Sequence, residues 1–333
     1  MRVGINGLGR IGRQALRQLQ GADGLELVAV NDLAEPACLA HLVKYDSVHG
    51  RAPFPVDHGD ACLVLGGRRL PVFREQDPAR VPFGAHGAQV VLECTGRFAG
   101  REPASRLLRD GVAQVVVSAP CEDADLTVVM GVNHRLLDPG RHRILSAACA
   151  AGQALAVLVR VLDQAFGAEA GLATAVESYG NDQRILDQPH PDPRMARAAA
   201  LSMIPAPSSA AACLEQVLPA MAGRFASQAV RVPTPDVSLL DLSVTLARDA
   251  DREGLCEAFR RAAGEGIPGL LEVLEEPLVS VDLRGSRATC LLDAPLTRIM
   301  APRFVKVFGW YDNEAGYAAR LVDLCRALDG RCA

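Results

Sequence analysis

A glycine-rich turn near the start of the chain constrains the fold most. The segment Gly7-Leu8-Gly9-Arg10-Ile11-Gly12 follows the apolar run Arg2–Asn6, and Asp32 comes directly after the next apolar run, Leu25–Asn31. Such a turn between a strand and a helix brings backbone N–H groups and a helix N-terminus to a pyrophosphate. The acidic residue accepts hydrogen bonds from ribose hydroxyls and would repel a 2′-phosphate. The pattern therefore predicts an NAD site, with NAD preferred to NADP.

The first half of the chain alternates strand-like and helical patterns. Further strand-like apolar runs are found at Val90–Glu93, Gln114–Ala119 and Ile144–Ala147. Helical spacing is found at Gly9–Gln20, Ala34–Tyr45 and Glu102–Asp110. Strands that alternate with helices form a parallel sheet covered on both faces. We therefore expect residues 1–148 to form an α/β Rossmann NAD-binding domain with a parallel, doubly wound sheet.

The pattern changes after Cys149. Strand-like runs are grouped together at Gln228–Pro233, Val237–Ala247, Val279–Asp282, Ala288–Leu292 and Phe304–Trp310, and helical spacing is found at Gln153–Phe166, Ser208–Leu218 and Asp251–Gly264. The stretch 175–207 is rich in Pro and Arg and is predicted to be irregular. Grouped strands favour an α+β catalytic domain with a mostly antiparallel sheet over 149–313. A C-terminal helix within 314–333 is expected to pack back on the first domain.

Composition excludes several classes of partner. The 333 residues carry a net charge of −4 without a basic run, so no nucleic acid is expected. No apolar run is long enough to span a bilayer, and the N-terminus has no pattern of a secretory signal. None of the 10 cysteines forms a Cys-x-x-Cys pair, so no metal site is predicted. These features predict a cytoplasmic location with reduced thiols.

Several longer motifs resemble the glyceraldehyde-3-phosphate dehydrogenase family. They occur in the order of that family and span nearly the whole chain. The motifs are Val3–Arg13, Lys44–Gly50, Glu93–Gly96, Ser118–Pro120, Met130–His134, Arg231–Thr234 and Trp310–Glu314.

Within this family the chain looks most like the erythrose-4-phosphate dehydrogenase branch. The similarity lies in Asp182-Gln183, in His190–Ala199 and in Leu278–Asp282. The resemblance implies a homotetrameric NAD-dependent oxidoreductase acting on a small sugar-phosphate-like or otherwise anionic aldehyde. In that chemistry a thiolate attacks the aldehyde, hydride passes to NAD and a thioester forms. Phosphate resolves the thioester in the phosphorylating branch, and water does so in the erythrose branch.

The resemblance also assigns residues one at a time. Cys149 matches the nucleophile, and Arg231 matches a residue that binds the anionic group of the substrate. Ser208 and Ser209 fall where members of the family bind phosphate. The glycines of the turn, Gly7 and Gly9, are joined by further positions that match NAD contacts: Arg10, Ile11, Asp32, Gln76 (where many members have Arg), Thr95, Ser118 and Asn313.

The catalytic centre departs from the family at two places. The nucleophile segment of the family, Ser-Cys-Thr-Thr-Asn-Cys, here runs from Ala148 to Gln153, with Ala150, Ala151 and Gly152 after the cysteine. The hydroxyls that help to hold phosphate are lost, which favours a non-phosphorylating reaction. Glu177 occupies the position of the histidine that activates the thiol. A carboxylate disfavours a nearby thiolate, so Cys149 would depend on its helix N-terminus and on the nicotinamide ring.

Glu177 leaves three roles open: a general base for water, a ligand for amine or hydroxyl groups of a substrate, or the mark of lost activity. The first function predicted is a non-phosphorylating aldehyde dehydrogenase, with Cys149 as nucleophile and Glu177 as deacylating base. The second is a catalytically silent NAD-binding protein. The third is a hydrolase or acyl-transfer enzyme that uses Cys149 and Glu177 as a nucleophile–base pair. His190 is predicted to make a loop hydrogen bond.

Overall fold

The structure is a computed structural model that describes residues 1–330. Two compact units are present, one formed by residues 1–130, 134–148 and 317–330, the other by residues 131–133 and 149–316. The last residues of the predicted C-terminal helix 314–333 lie outside the described residues, as does Cys332. None of the described helices combines the length and the apolarity needed to cross a bilayer.

The first unit contains eleven strands. They are β1 Arg2–Asn6, β2 Glu26–Asn31, β3 Tyr45–Asp46, β4 Gly50–Arg51, β5 Val56–Gly59, β6 Cys62–Leu65, β7 Arg68–Phe73, β8 Val90–Glu93, β9 Gln114–Val117, β10 Leu126–Thr127 and β11 Ile144–Ser146. The helices that accompany them are α1 Arg10–Leu19, α2 Pro36–Lys44 and α3 Arg101–Ser105.

Nine of these strands form one sheet in the order β10-β11-β9-β8-β1-β2-β7-β6-β5. All pairs from β10 to β7 are parallel, and β7, β6 and β5 follow as antiparallel neighbours at one edge. The central strands are buried almost throughout because helices cover a parallel sheet on both faces. The predicted Rossmann domain with a parallel sheet is confirmed, whereas the antiparallel edge was not predicted.

The second unit contains eight strands and three helices. The strands are β12 Ala168–Ser178, β13 Ile204–Pro207, β14 Phe225–Val232, β15 Ser238–Leu246, β16 Leu271–Leu274, β17 Cys290–Asp293, β18 Arg298–Ala301 and β19 Phe304–Tyr311. The helices are α4 Ala150–Phe166, α5 Ala210–Val217 and α6 Arg252–Arg261, and α7 Ala315–Leu328 follows the last strand.

The second sheet has the order β13-β14-β12-β15-β19-β17-β16, with β18 paired to β19. Only the pairs β12–β14 and β16–β17 are parallel, which confirms the predicted, mostly antiparallel sheet. Helix α4 packs against β12, β15, β17 and β19 as well as α5 and α6. Its side chains from Ala151 to Leu162 are buried almost without interruption, as expected of a helix that is apolar on all sides.

Two predictions for the second unit are wrong. The segment 175–207 was expected to be irregular, but its first residues, up to Ser178, belong to β12, and its last residues, from Ile204, form β13. Val279–Asp282 was expected to be a strand, but Ser280–Leu283 forms a short 3-10 helix closed by a hydrogen bond from Val279 N to Asp282. That local bond competes with strand pairing, as aspartate side chains often do.

Candidate active site

The glycine turn of the first unit has the shape that a dinucleotide requires. Gly7 has a left-handed φ of 94°, and a Cβ there would lie 2.8 Å from the backbone N of Thr95. A Cβ on Gly12 would lie 2.0 Å from the carbonyl oxygen of Gly7, so α1 meets the turn at a distance that only glycine permits. Around Gly9, by contrast, the space is open within 4 Å. A pyrophosphate can therefore approach the backbone at the N-terminus of α1.

Asp32 follows β2 at the rim of the same cleft. Its Oδ2 accepts a hydrogen bond from Leu8 N at 2.8 Å, and its Oδ1 accepts one from Ala34 N at 3.0 Å. The two backbone bonds fix the carboxylate beside the turn. Each oxygen keeps a further lone pair for a ribose hydroxyl, so the observed position fits the predicted role.

The cleft between these groups has a volume of about 320 Å³. Five predicted NAD-contacting residues are among those that line it, namely Gly7, Gly9, Asp32, Gln76 and Thr95. Arg10 begins α1 next to the turn and pairs with Asp46 at 2.6 Å, while Ile11 is the next residue of the helix. Ser118 follows β9, and its backbone N donates to Glu93 O at the carboxyl ends of the parallel strands. The turn, the cleft and the carboxylate together fit NAD.

Cys149 stands at the N-terminus of α4 in the second unit. Its backbone is extended, with φ −112° and ψ 160°, and its Sγ accepts a hydrogen bond from Gly152 N at 3.3 Å. The preceding residue, Ala148, has a left-handed φ of 57°, which is uncommon for a residue with a Cβ. A helix N-terminus favours an anion, so this position stabilises a thiolate.

Two more side chains contact the sulfur of Cys149: Cys213 lies on α5, and Ser209 immediately precedes that helix. The Ser209 hydroxyl donates to Cys149 Sγ at 3.3 Å, and Cys213 Sγ lies 3.7 Å from it. The hydrogen bond from Cys213 is the largest influence that lowers the pKa of Cys149 to about 7. The hydrogen bonds from Ser209 and Gly152 act in the same direction, whereas burial opposes them. The hydrogen bonds at this position therefore favour the thiolate of Cys149.

Glu177 and Arg231 face each other on the parallel strands β12 and β14. Arg231 Nε lies 3.1 Å from Glu177 Oε2, and Arg231 Nη1 donates to Ser178 O at 3.2 Å. Burial raises the pKa of Glu177, the positive charge of Arg231 opposes the rise, and the negative charge of Asp182 adds to it. The charge of Glu177 in turn raises the pKa of Cys149, as predicted for a carboxylate near a thiol.

The remaining predicted positions lie in the second unit. The side-chain oxygen of Asn313 accepts hydrogen bonds from Ser178 and Ser238, each at 3.0 Å. Ser208 accepts from Ala210 N at 3.2 Å and so helps to begin α5. His190 accepts from Asp192 N at 3.0 Å, which confirms the predicted loop hydrogen bond.

Two residues near Cys149 were not predicted from the sequence. Cys213 was among many scattered cysteines, although its spacing of four from Ser209 places both on one helical face. Tyr311 lies within the motif Trp310–Glu314, but it is 2% exposed and its environment includes both Glu177 and Cys149. Burial, together with those two charges, raises the pKa of Tyr311 well above its usual value, so its phenol is neutral.

A Rossmann unit with an NAD-shaped cleft and a second unit with an activated cysteine define a nicotinamide-dependent oxidoreductase. Residues 1–101 match the family model described as glyceraldehyde 3-phosphate dehydrogenase, NAD binding domain. Residues 149–313 match the model of the C-terminal domain of the same enzyme. The chain belongs to the glyceraldehyde-3-phosphate dehydrogenase family, whose homologues are NAD-dependent oxidoreductases acting on an aldehyde.

Similar proteins cover the chain from end to end. It is 45% identical over 330 residues to glyceraldehyde-3-phosphate dehydrogenase 1 of Bacillus cereus, which is 99% of either chain. It is 44% identical to the enzyme of Streptomyces coelicolor and 45% identical to that of Geobacillus stearothermophilus, over 97% of each chain in both comparisons. The predicted family and cofactor are confirmed. The similarity to the erythrose-4-phosphate branch stays a prediction.

Proposed function

We propose that this chain is a non-phosphorylating NAD-dependent dehydrogenase that oxidises a small anionic aldehyde through a thioester on Cys149. The observation that carries the proposal is a partly buried carboxylate, Glu177, whose charge acts on the activated Cys149 from the position where the family has a histidine. The first half of the reaction needs a thiolate, and the second half needs a base for water.

The first half begins at Cys149. Its thiolate attacks the aldehyde carbon, the C=O π bond becomes an alkoxide, and a proton from solvent gives the thiohemiacetal. NAD would supply the acceptor for the hydride that leaves the thiohemiacetal carbon. Loss of the hydroxyl proton to solvent leaves a thioester on Cys149. The residues that would hold NAD are those of the glycine turn and the cleft, together with Asp32.

The second half uses Glu177. Its carboxylate takes a proton from water as the water oxygen attacks the thioester carbon, and the C–S bond then breaks to release the acid and regenerate the thiolate. The pKa of Glu177 is raised by burial, which makes the carboxylate a stronger base than an exposed one. Ala150 and Ala151 provide no hydroxyl donors at the start of α4, so inorganic phosphate has fewer donors there than in the family pattern.

Arg231 would bind the anionic end of the substrate. Its guanidinium carries five N–H donors, and the contacts with Glu177 and Ser178 use two of its nitrogen atoms. Ser208 would donate its O–H to the same anion while its oxygen accepts from Ala210 N, whereas the O–H of the neighbouring Ser209 is donated to Cys149. Because Glu177 neutralises Arg231, we expect weaker retention of a phosphate group than an unpaired arginine would give.

The experiment measures NADH and product with purified protein, NAD and a panel of aldehydes that includes glyceraldehyde 3-phosphate and erythrose 4-phosphate. The expected result is NADH formation at equal rates with and without inorganic phosphate, an acyl mass on Cys149, and loss of both in Cys149→Ser. A strict requirement for phosphate would overturn the non-phosphorylating reaction. Acylation without NADH would favour the hydrolase or acyl-transfer alternative, and neither signal would favour the silent NAD-binding protein.

We also propose that the protein is a cytoplasmic homotetramer. Large apolar side chains are exposed in 185–203, with Ile185 at 85% and Leu201 at 83% exposure, and such surfaces are typical of interfaces. Sedimentation velocity at micromolar concentration tests the assembly: a species of four chains is expected, and a monomer at all concentrations would contradict it. Fractionation of the source cells tests the location.

A further inference from the structure

Two cysteine sulfurs meet at the start of α4. Cys213 Sγ, on α5, lies 3.7 Å from Cys149 Sγ, and Ser209 Oγ lies 3.3 Å from the same atom. We propose that Cys213 and Ser209 together hold Cys149 as a thiolate by donating hydrogen bonds to it, the task that an imidazolium would otherwise perform. The inference rests on the proposed function only in taking Cys149 as the nucleophile.

The donors converge on Cys149 and thereby decide which sulfur carries the charge. Cys149 Sγ accepts from Gly152 N at 3.3 Å and from Ser209, and it lies at a helix N-terminus. Cys213 lies in the middle of the short helix α5 and is 1% exposed. Burial without a charged partner disfavours an anion, so the proton of the pair remains on Cys213. Its S–H therefore points to Cys149 as a donor.

Gly152 makes the approach of the two sulfurs possible. A Cβ on Gly152 would lie 2.6 Å from Cys213 Cβ, 3.1 Å from Cys149 Sγ and 3.2 Å from Cys213 Sγ. The first distance is shorter than real Cβ contacts and the other two are tighter than most, so any other residue at this position would move α5 or one of the sulfurs. The glycine that departs from the family motif thus allows the contact between Cys213 and Cys149.

The charged and titratable groups around Cys149 do not perform this task. Glu177 on β12 opposes the thiolate, and the negative charge of Asp182 acts on Glu177. Arg231 on β14 is paired with Glu177 at 3.1 Å. Tyr311 on β19 has a buried phenol whose pKa is raised well above its usual value, so it adds no charge. The hydrogen bonds from α5 and from the backbone of α4 are what stabilise the thiolate.

The test is the pH profile of alkylation by iodoacetamide, measured on the full-length protein without NAD or aldehyde. A phosphine reductant keeps a Cys149–Cys213 disulfide from forming, and peptide mass spectrometry follows the Cys149 peptide. Cys38 is exposed and serves as an internal reference in every sample. The variants are Cys213→Ala and Cys213→Ser, with Cys256→Ala as the matched control because Cys256 is a buried cysteine of α6.

We expect the alkylation midpoint of Cys149 to lie near 7 in the natural chain and in the Cys256→Ala variant. Cys213→Ala should raise the midpoint by about one unit, the usual effect of a lost hydrogen bond to a charged group, and slow alkylation at neutral pH by about fivefold. Cys213→Ser should raise the midpoint less than Cys213→Ala does, because the serine hydroxyl can still donate a hydrogen bond to Cys149. Coincident profiles for Cys213→Ala and Cys256→Ala would overturn the proposal.

Ser209→Ala is the second variant, and because Ser209 is exposed its removal leaves the packing of α5 intact. It should also raise the midpoint, and an unchanged profile would remove Ser209 from the proposal. Retained NAD binding and an unchanged Tm show that each variant is folded. Since alkylation needs no turnover, a Cys213-dependent profile without NADH production would refute the proposed function alone. NADH production with a Cys213-independent profile would refute this inference alone.

Discussion

The guanidinium of Arg231 and the carboxylate of Glu177 lie side by side on adjacent parallel strands, with 3.1 Å between Nε and Oε2. Both side chains are partly buried, so water screens the pair less than it would on the surface. The residue that would bind the substrate anion therefore also sets the basicity of the residue that would activate water. Changes to either residue should affect binding and deacylation together.

Removal of the carboxylate should separate the two halves of the reaction. Glu177→Gln keeps the shape of the side chain but cannot take a proton from water, so deacylation should slow by about 10²- to 10⁴-fold. The thiolate should be no weaker, because the charge of Glu177 raises the pKa of Cys149. We expect one equivalent of NADH in a burst and an acylated Cys149 by mass spectrometry. A slow reaction without a burst would show that Glu177 acts before the thioester forms.

Removal of the arginine charge should move the pH profile of deacylation. The positive charge of Arg231 lowers the pKa of Glu177, so Arg231→Gln should raise that pKa. A general base acts when unprotonated, and deacylation therefore rises with pH through the pKa of Glu177 and levels off above it. The rising limb should shift to higher pH in Arg231→Gln and stay in place in Arg224→Gln, the removal of an exposed arginine just before β14. A limb that does not move would show that Glu177 is not the base.

Alanine substitutions at Gly9 and Gly12 should have different effects, the first on NAD affinity and the second on the stability of the fold. A Cβ at Gly12 meets the carbonyl of Gly7 at 2.0 Å, so Gly12→Ala should lower the stability by about 1–3 kcal/mol. Gly9→Ala has open space and should leave the Tm of the NAD-free protein nearly unchanged, yet weaken NAD where the pyrophosphate meets the backbone. Thermal unfolding with and without NAD measures both effects. Equal losses of Tm in the two variants would contradict the assignment.

The carboxylate of Asp32 should select the nucleotide. Asp32→Asn removes a charged acceptor for the ribose hydroxyls, which should weaken NAD by about 10- to 100-fold and reduce the discrimination against NADP. Glu35→Gln is the matched control, because Glu35 is a nearby exposed carboxylate that pairs with Arg74. Isothermal titration with both nucleotides gives the ratio of affinities. If Asp32→Asn and Glu35→Gln changed the ratio of the NAD and NADP affinities equally, the preference for NAD would come from the negative charge of this region and not from Asp32 itself.

The first unit could be predicted well because its signals are local. β-branched runs such as Val90–Glu93 give buried parallel strands, and the turn from Gly7 to Gly12 has a spacing that serves few other purposes. No part of the strand β12, Ala168–Ser178, was predicted, because its alanines and polar residues have weak strand propensity. Its position depends on pairing with β14 and β15, which are distant in sequence.

The centre around Cys149 could be predicted only in part. The nucleophile and Glu177 follow from motif positions, but the contact of Cys149 with Cys213 joins residues 64 positions apart and depends on how α5 packs on α4. The ion pair of Glu177 with Arg231 depends on the register between β12 and β14. The sequence of either strand alone does not determine that register. Long-range packing and register are therefore what the motifs could not supply.

Gly152 ties two helices of the altered centre together. Because the missing side chain lets α5 approach the start of α4, placing the asparagine of the family motif at this position would push the two helices apart and disturb Ser209 and Cys213 together. That single substitution would damage the thiolate site without supplying the histidine that the family has in place of Glu177. A chimera that carries the family motif in this chain therefore has to exchange both helices as one block.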